Sequence, residues 1–183
     1  MILFNKEIVK VYIIDFFPDP TITGPLKLFL DQHADTTVLV PQTREEVFKF
    51  LSAIEQEIGK EGCLIHLVGH GDNKKHGFGR QGLSLTYEEM VAPFTLINER
   101  CGDRLIVNAS LMCLTDPIHA IYEIDTKIFH ACIYSTLTQS IQTLKQLLNI
   151  YTKCINGMDI RSAIDHENDV IEYSQEVRPF GYS

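Results

Sequence analysis

The run Leu64-Ile65-His66-Leu67-Val68-Gly69-His70-Gly71 constrains this chain more than any other segment. Its core from Cys63 to Val68 is almost continuously apolar. A strand of that kind suits a parallel sheet covered on both faces, because an exposed face would require alternating polar residues. A second run, Arg104-Leu105-Ile106-Val107-Asn108-Ala109-Ser110, has the same character, with Leu105 to Ala109 as its strand. Both runs stop abruptly in small or reactive residues. In open parallel sheets the carboxyl ends of the strands share one rim, where functional groups gather. His70 stands at the end of one strand, and Ser110, with Cys113 just beyond, at the end of the other.

The remaining pattern alternates strands and helices. Val9 to Phe17 reads as a first strand closed by Pro18-Asp19-Pro20, and Gly24-Pro25 opens a helix to about Gln32. Thr37 to Val40 is a second strand. Thr43 and Glu46 have capping-box spacing and start a helix that runs to Ile58 and stops at Gly59. Within it Val47, Phe50, Leu51 and Ile54 mark one buried face. Gly69 to Gly82 reads as a polar, glycine-rich loop. Thr86 and Glu89 form a second capping box, and Pro93 is expected to end or kink the helix that follows. Asp116-Pro117 reads as another helix start, Ile128 to Tyr134 as a fifth strand, and Ile141, Leu144, Leu147, Leu148 and Tyr151 as one face of a longer helix. Asp159 is placed to cap a short helix through Ala163 and Ile164, and no element is assigned in the tail. Alternation of this kind predicts an α/β fold, a mostly parallel sheet with helices on both faces. Without an internal repeat or a linker, residues 1–183 are expected to form a single domain.

Composition narrows the function classes. The net charge of -8 opposes nucleic-acid binding, which needs a basic face. No apolar run approaches the ~18 residues of a membrane span, and the N-terminus lacks the pattern of a signal peptide. The five cysteines include no CxxC pair, which points to reduced thiols and a cytoplasmic setting. Cys63, Cys101, Cys132 and Cys154 read as packing residues.

His66, His70 and His76 do not make a metal site by spacing. Along a strand, His66 and His70 lie roughly 13 Å apart, at ~3.3 Å per residue, too far to share one zinc ion. No metal or cofactor is expected. The glycines from Gly77 to Gly82 follow no strand that would make them a dinucleotide fingerprint. Lys74, Lys75, His76 and Arg80 make that loop locally basic, which a solvated loop explains. A histidine beside a thiol or hydroxyl, by contrast, can take its proton and return it to a leaving group. Gly71 would let the chain turn after His70, and its amide could donate to an oxyanion.

The order strand, Gly69-His70-Gly71, glycine-rich loop, helix, strand, Asn108-Ala109-Ser110 resembles the caspase-like cysteine proteases, most closely their bacterial CHAT branch. Those families carry a hydrophobic-hydrophobic-small-His-Gly segment, then a cysteine closing the next strand after residues such as Asn-Ala. The resemblance covers Lys10 to about Leu148, including Gly82 to Thr86 and Ile128 to Thr138. It implies a caspase-like three-layer sandwich and a cysteine endopeptidase cutting a peptide or protein substrate. His70 would be the base and acid, and the Gly71 amide would hold the oxyanion.

This chain departs from the family at the nucleophile, because Ser110 occupies the cysteine position. Three readings stay open: a cysteine-to-serine substitution, a catalytically silent module that binds peptide or protein, and use of Cys113. Cys113 lies three residues further on and would need a distorted or shifted turn to reach His70. Resemblance also marks Asp15, near the first-strand end, and Asn108, just before the nucleophile position, as substrate-binding positions. A basic or uncharged residue before the scissile bond is the corresponding expectation. Asp116 would line the same cleft or cap its helix. Relatives of this kind act in regulated proteolysis, often in bacterial defence or cell death. Regulation is expected from a partner chain, self-association or cleavage.

Overall fold

The strands of the computed structural model bury the apolar runs that define them. Residues 1–3, 5–72, 77–113, 128–135, 140–165, 167 and 170–174 are described. Among them nine strands join one sheet. In chain order the elements are β1 (Ile2–Leu3), β2 (Lys6–Asp15), α1 (Thr23–Leu30), β3 (Asp35–Leu39), α2 (Arg44–Glu57), β4 (Gly62–Asp72), β5 (Gly77–Arg80) and β6 (Leu83–Thr86). There follow α3 (Tyr87–Arg100), β7 (Leu105–Cys113), β8 (Ala131–Ser135), α4 (Ser140–Ile155), α5 (Ile160–Ile164) and β9 (Val170–Ser174).

The heart of the sheet is parallel. β2 pairs with β3 and β4, β4 with β7, and β7 with β8, all parallel. Antiparallel pairs decorate it: β1 on the start of β2, β9 on β8, and the hairpin β5–β6 on the end of β4. Side chains leave the strands on both faces. On one face Ile14, Cys63, Ile65, Leu67, Val107 and Ala109 pack with Val47, Leu51 and Ile54 of α2 and with Met90, Phe94 and Ile97 of α3. On the other, Val11, Ile13, Leu64, Val68, Ile106 and Leu111 pack with Leu26 and Leu30 of α1, with Leu147 and Ile150 of α4, and with Ile160 of α5. The result is the three-layer α/β arrangement that the alternating pattern predicts.

Local signals explain where the helices begin. Thr43 accepts the Glu46 amide at the start of α2. Thr86 and Glu89 close a full capping box on α3, and Asp159 accepts two amides at the start of α5. Three expectations need correction. The stretch after Gly69 is not all loop: β4 continues to Asp72 and pairs with β5, so the chain does not turn at Gly71, which opposes Phe78. α3 runs through the half-buried Pro93 to Arg100, and the missing proline N–H forfeits a single ladder bond. β7 extends beyond Ala109 to Cys113. The helix read from Asp116-Pro117, together with Asp116, His76, Lys74 and Lys75, lies outside the described residues.

Candidate active site

His70 ends the stretch of β4 that pairs with β7, and its side chain is exposed at the carboxyl rim. Phe17, itself 50% exposed, lies against it, with ring centroids 4.8 Å apart and the planes at 60°. Phe17 is held there from below. The Phe16 amide donates to Val68 O at 2.8 Å, continuing the β2–β4 pairing past Asp15. Asp15 Oδ1 then accepts the Phe17 amide at 3.0 Å, and Asp15 Oδ2 accepts the Thr23 hydroxyl at 2.5 Å. Burial raises the pKa of the Asp15 carboxyl, and these two bonds oppose that shift. Asp15 therefore stands at the first-strand end as expected, but both its oxygens serve the chain itself. It shapes the rim by fixing Phe17 and the start of α1.

The β4–β7 ladder carries a bulge. His66 pairs with Asn108, whereas Val68 pairs with Leu111, so Ala109 and Ser110 together oppose Leu67. Beyond the bulge, Gly69 pairs with Met112 and His70 with Cys113. The face alternation of β7 reverses at the same point. Val107 and Ala109 belong to the core beneath α2 and α3, but Ile106 and Leu111 share the core beneath α1 and α4. The shift lies within the strand rather than in a turn, and it makes Cys113 the register partner of His70.

Ser110 is placed differently. It is 2% exposed, and both its amide and its hydroxyl donate to Asn108 Oδ1, at 2.9 Å and 2.6 Å. An amide oxygen accepts a hydrogen bond but is too weak a base to take the proton, so this contact does not activate the hydroxyl. Asn108 is fully buried, and its Nδ2 donates to the Tyr151 hydroxyl at 2.8 Å. That hydroxyl lies 2.9 Å from His66 Nε2. Asn108 Nδ2 can only donate, so the single hydrogen of Tyr151 goes to His66 Nε2 and the imidazole carries its own on Nδ1. Nδ1 has no hydrogen-bond partner among the described residues. Burial lowers the His66 pKa to about 3 and raises that of Tyr151, so both stay neutral.

Asn108 is consequently a buried link rather than a wall of the rim. His66, Tyr151 and Phe17 are the neighbours that the strand pattern missed. His66 had a signal, a lone polar residue in an apolar run. Tyr151 had none beyond its place on the buried face of α4. Arg80 donates to Pro41 O at 3.2 Å and Gln42 Oε1 at 3.1 Å, so its charge serves the hairpin's attachment. Cys63, Cys101, Cys132 and Cys154 are buried reduced thiols. Burial raises the Cys154 thiol to about 11, far from a reactive thiolate. Among the described residues no cluster of three His, Cys, Asp or Glu side chains could hold a metal, and no helix is long and apolar enough to cross a membrane.

No protein-family model matches the chain, and no sequence among the curated proteins matches it.

Proposed function

We propose that this chain is a caspase-like cysteine endopeptidase, of the kind its Gly69-His70-Gly71 and Asn108-Ala109-Ser110 segments resemble, with Cys113 as its thiol. The observation that carries the reading is the parallel register pairing His70 with Cys113 at the carboxyl rim. His70 takes the proton of the Cys113 thiol, and the thiolate attacks the carbonyl carbon of the scissile bond. The Gly71 amide, next to His70, is the proposed donor to the oxyanion. His70 then returns its proton to the departing amine, and water releases the acyl group from sulfur. Phe17 gives the base an aromatic wall. The setting that follows is cytoplasmic, regulated proteolysis, in bacterial defence or cell death, controlled by a partner chain, self-association or cleavage.

A second reading has its own support. Ser110, at the family's cysteine position, is buried and bound to Asn108, which suits a silent module that binds peptide or protein. Peptide-library cleavage by the unaltered chain, compared with Cys113→Ala, Ser110→Cys and His70→Ala, separates the two. Activity abolished by both Cys113→Ala and His70→Ala supports the peptidase with Cys113. Activity that appears only with Ser110→Cys moves the nucleophile to position 110. Silence in every variant, with peptide binding retained, favours the module.

A further inference from the structure

The bulge in β7 decides which residue meets His70. Paired in step from His66–Asn108 onward, the two strands would set Leu67 against Ala109, Val68 against Ser110 and His70 against Met112. The extra residue advances β7 by one position, and Cys113 takes the place of Met112. It also reverses the alternation of faces, as Leu111 shows by joining Ile106 in the core beneath α1 and α4.

A bulge leaves backbone groups without ladder partners, and a buried N–H without an acceptor is costly. Here the acceptor is a side chain. Asn108 Oδ1 takes both the amide and the hydroxyl of Ser110. Asn108 is aimed by its other end, where Nδ2 is fixed on the Tyr151 hydroxyl. Tyr151 is fixed in turn by His66 Nε2 and by an edge-on contact with the His66 ring, whose centroid is 5.8 Å away. α4 thereby reaches through the sheet face to β4 and β7 together, at the level where their register changes. On the far side, Asn108–Ile133 is the last β7–β8 pair among the described residues, so that ladder does not oppose the shift.

We propose that Tyr151 and Asn108 are positioning residues that lock the β7 bulge and so set Cys113, rather than Met112, beside His70. The catalytic part of this inference rests on the peptidase reading, whereas the register part stands apart from it. Neither residue touches the reacting atoms. Both act through the strand.

The test is an NMR comparison of the unaltered protein with Asn108→Leu, Asn108→Asp and Tyr151→Phe, read by interstrand nuclear Overhauser contacts at His70. Asn108→Leu is expected to transfer the contacts of His70 from Cys113 to Met112. Asn108→Asp keeps an acceptor for Ser110 and is expected to keep the Cys113 contacts. In steady-state kinetics Asn108→Leu should lower kcat by well over 100-fold with little change in KM, because a one-residue slip moves Cys113 by ~3.3 Å along the strand and turns it to the other face. Asn108→Asp should recover most of that loss. A folded Asn108→Leu protein that retains the His70–Cys113 contacts overturns the proposal. Should that variant not fold, Tyr151→Phe decides. About tenfold faster hydrogen exchange at the Ser110 amide supports the lock, and unchanged exchange overturns it. If the unaltered chain cleaves no peptide, the peptidase reading fails, while the His70 contacts still decide the register.

Discussion

His66 sits fully buried one residue before the bulge, neutral because burial lowers its pKa from 6.5 to about 3. The unfolded chain therefore binds a proton that the folded chain refuses between those values. Stability from this group is complete above pH 6.5 and is lost as pH falls toward 3, at full extent on the order of 5 kcal/mol. His66→Gln should be less stable than the unaltered protein at pH 7, and the gap between their urea-unfolding energies should narrow as the pH is lowered to 4. A constant gap would show that His66 does not couple folding to protons. The buried polar chain also explains what the sequence hid at this scale. Asn108 and Ser110 interrupt an apolar run, so they read as a strand end. Only Tyr151, distant in sequence, makes them affordable inside a strand. Asp15 misleads in a similar way: an acid at a strand end looks ready for substrate, yet its partners are Phe17 and Thr23.

At the scale of elements, the legible parts were those with a local cause. Capping pairs and three-to-four-residue apolar spacing placed α2 and α3 within a residue or two at their starts. Thr86→Ala removes a bond that starts α3 and should cost about 1 kcal/mol in chemical denaturation. Of the β5–β6 hairpin, β6 falls where the resemblance implies a short strand, Gly82 to Thr86, whereas β5 escaped notice because it is short and rich in glycine, which ordinarily signals a loop. Glycine is required there by close approach. A Cβ on Gly79 would stand 2.1 Å from Leu83 O, and the residue has φ +141°. Gly79 is also the antiparallel partner of His70. Gly79→Ala should therefore destabilise the fold by about 1–3 kcal/mol and broaden the NMR signals of the His70 ring. A variant with unchanged stability and a sharp His70 signal would show that the hairpin is not tied to the rim.

On the scale of the whole molecule, β2, β4 and β7 supply side chains to both cores, so neither face can be lost without the sheet. Leu26→Ala beneath α1 and Leu51→Ala beneath α2 should each cost about 2–5 kcal/mol. Both should shift the same single unfolding transition, seen alike by far- and near-ultraviolet circular dichroism. Two separable transitions would contradict a shared sheet. The layer order was open to a sequence reading because alternating strands and helices leave few ways to cover a parallel sheet. The register was not, since a bulge changes pairing by one residue and leaves no trace in hydropathy.

The crossed order of the sheet also has a consequence in time. β4 and β7 are neighbours in space but are joined through β5, β6 and α3, and such distant pairings form slowly, on the order of milliseconds to seconds. During synthesis the His70 strand leaves the ribosome well before Cys113 does. Until β7 has emerged and docked, the proposed base has no thiol to act on. A half-made chain would thus be inert by topology, with no inhibitor required.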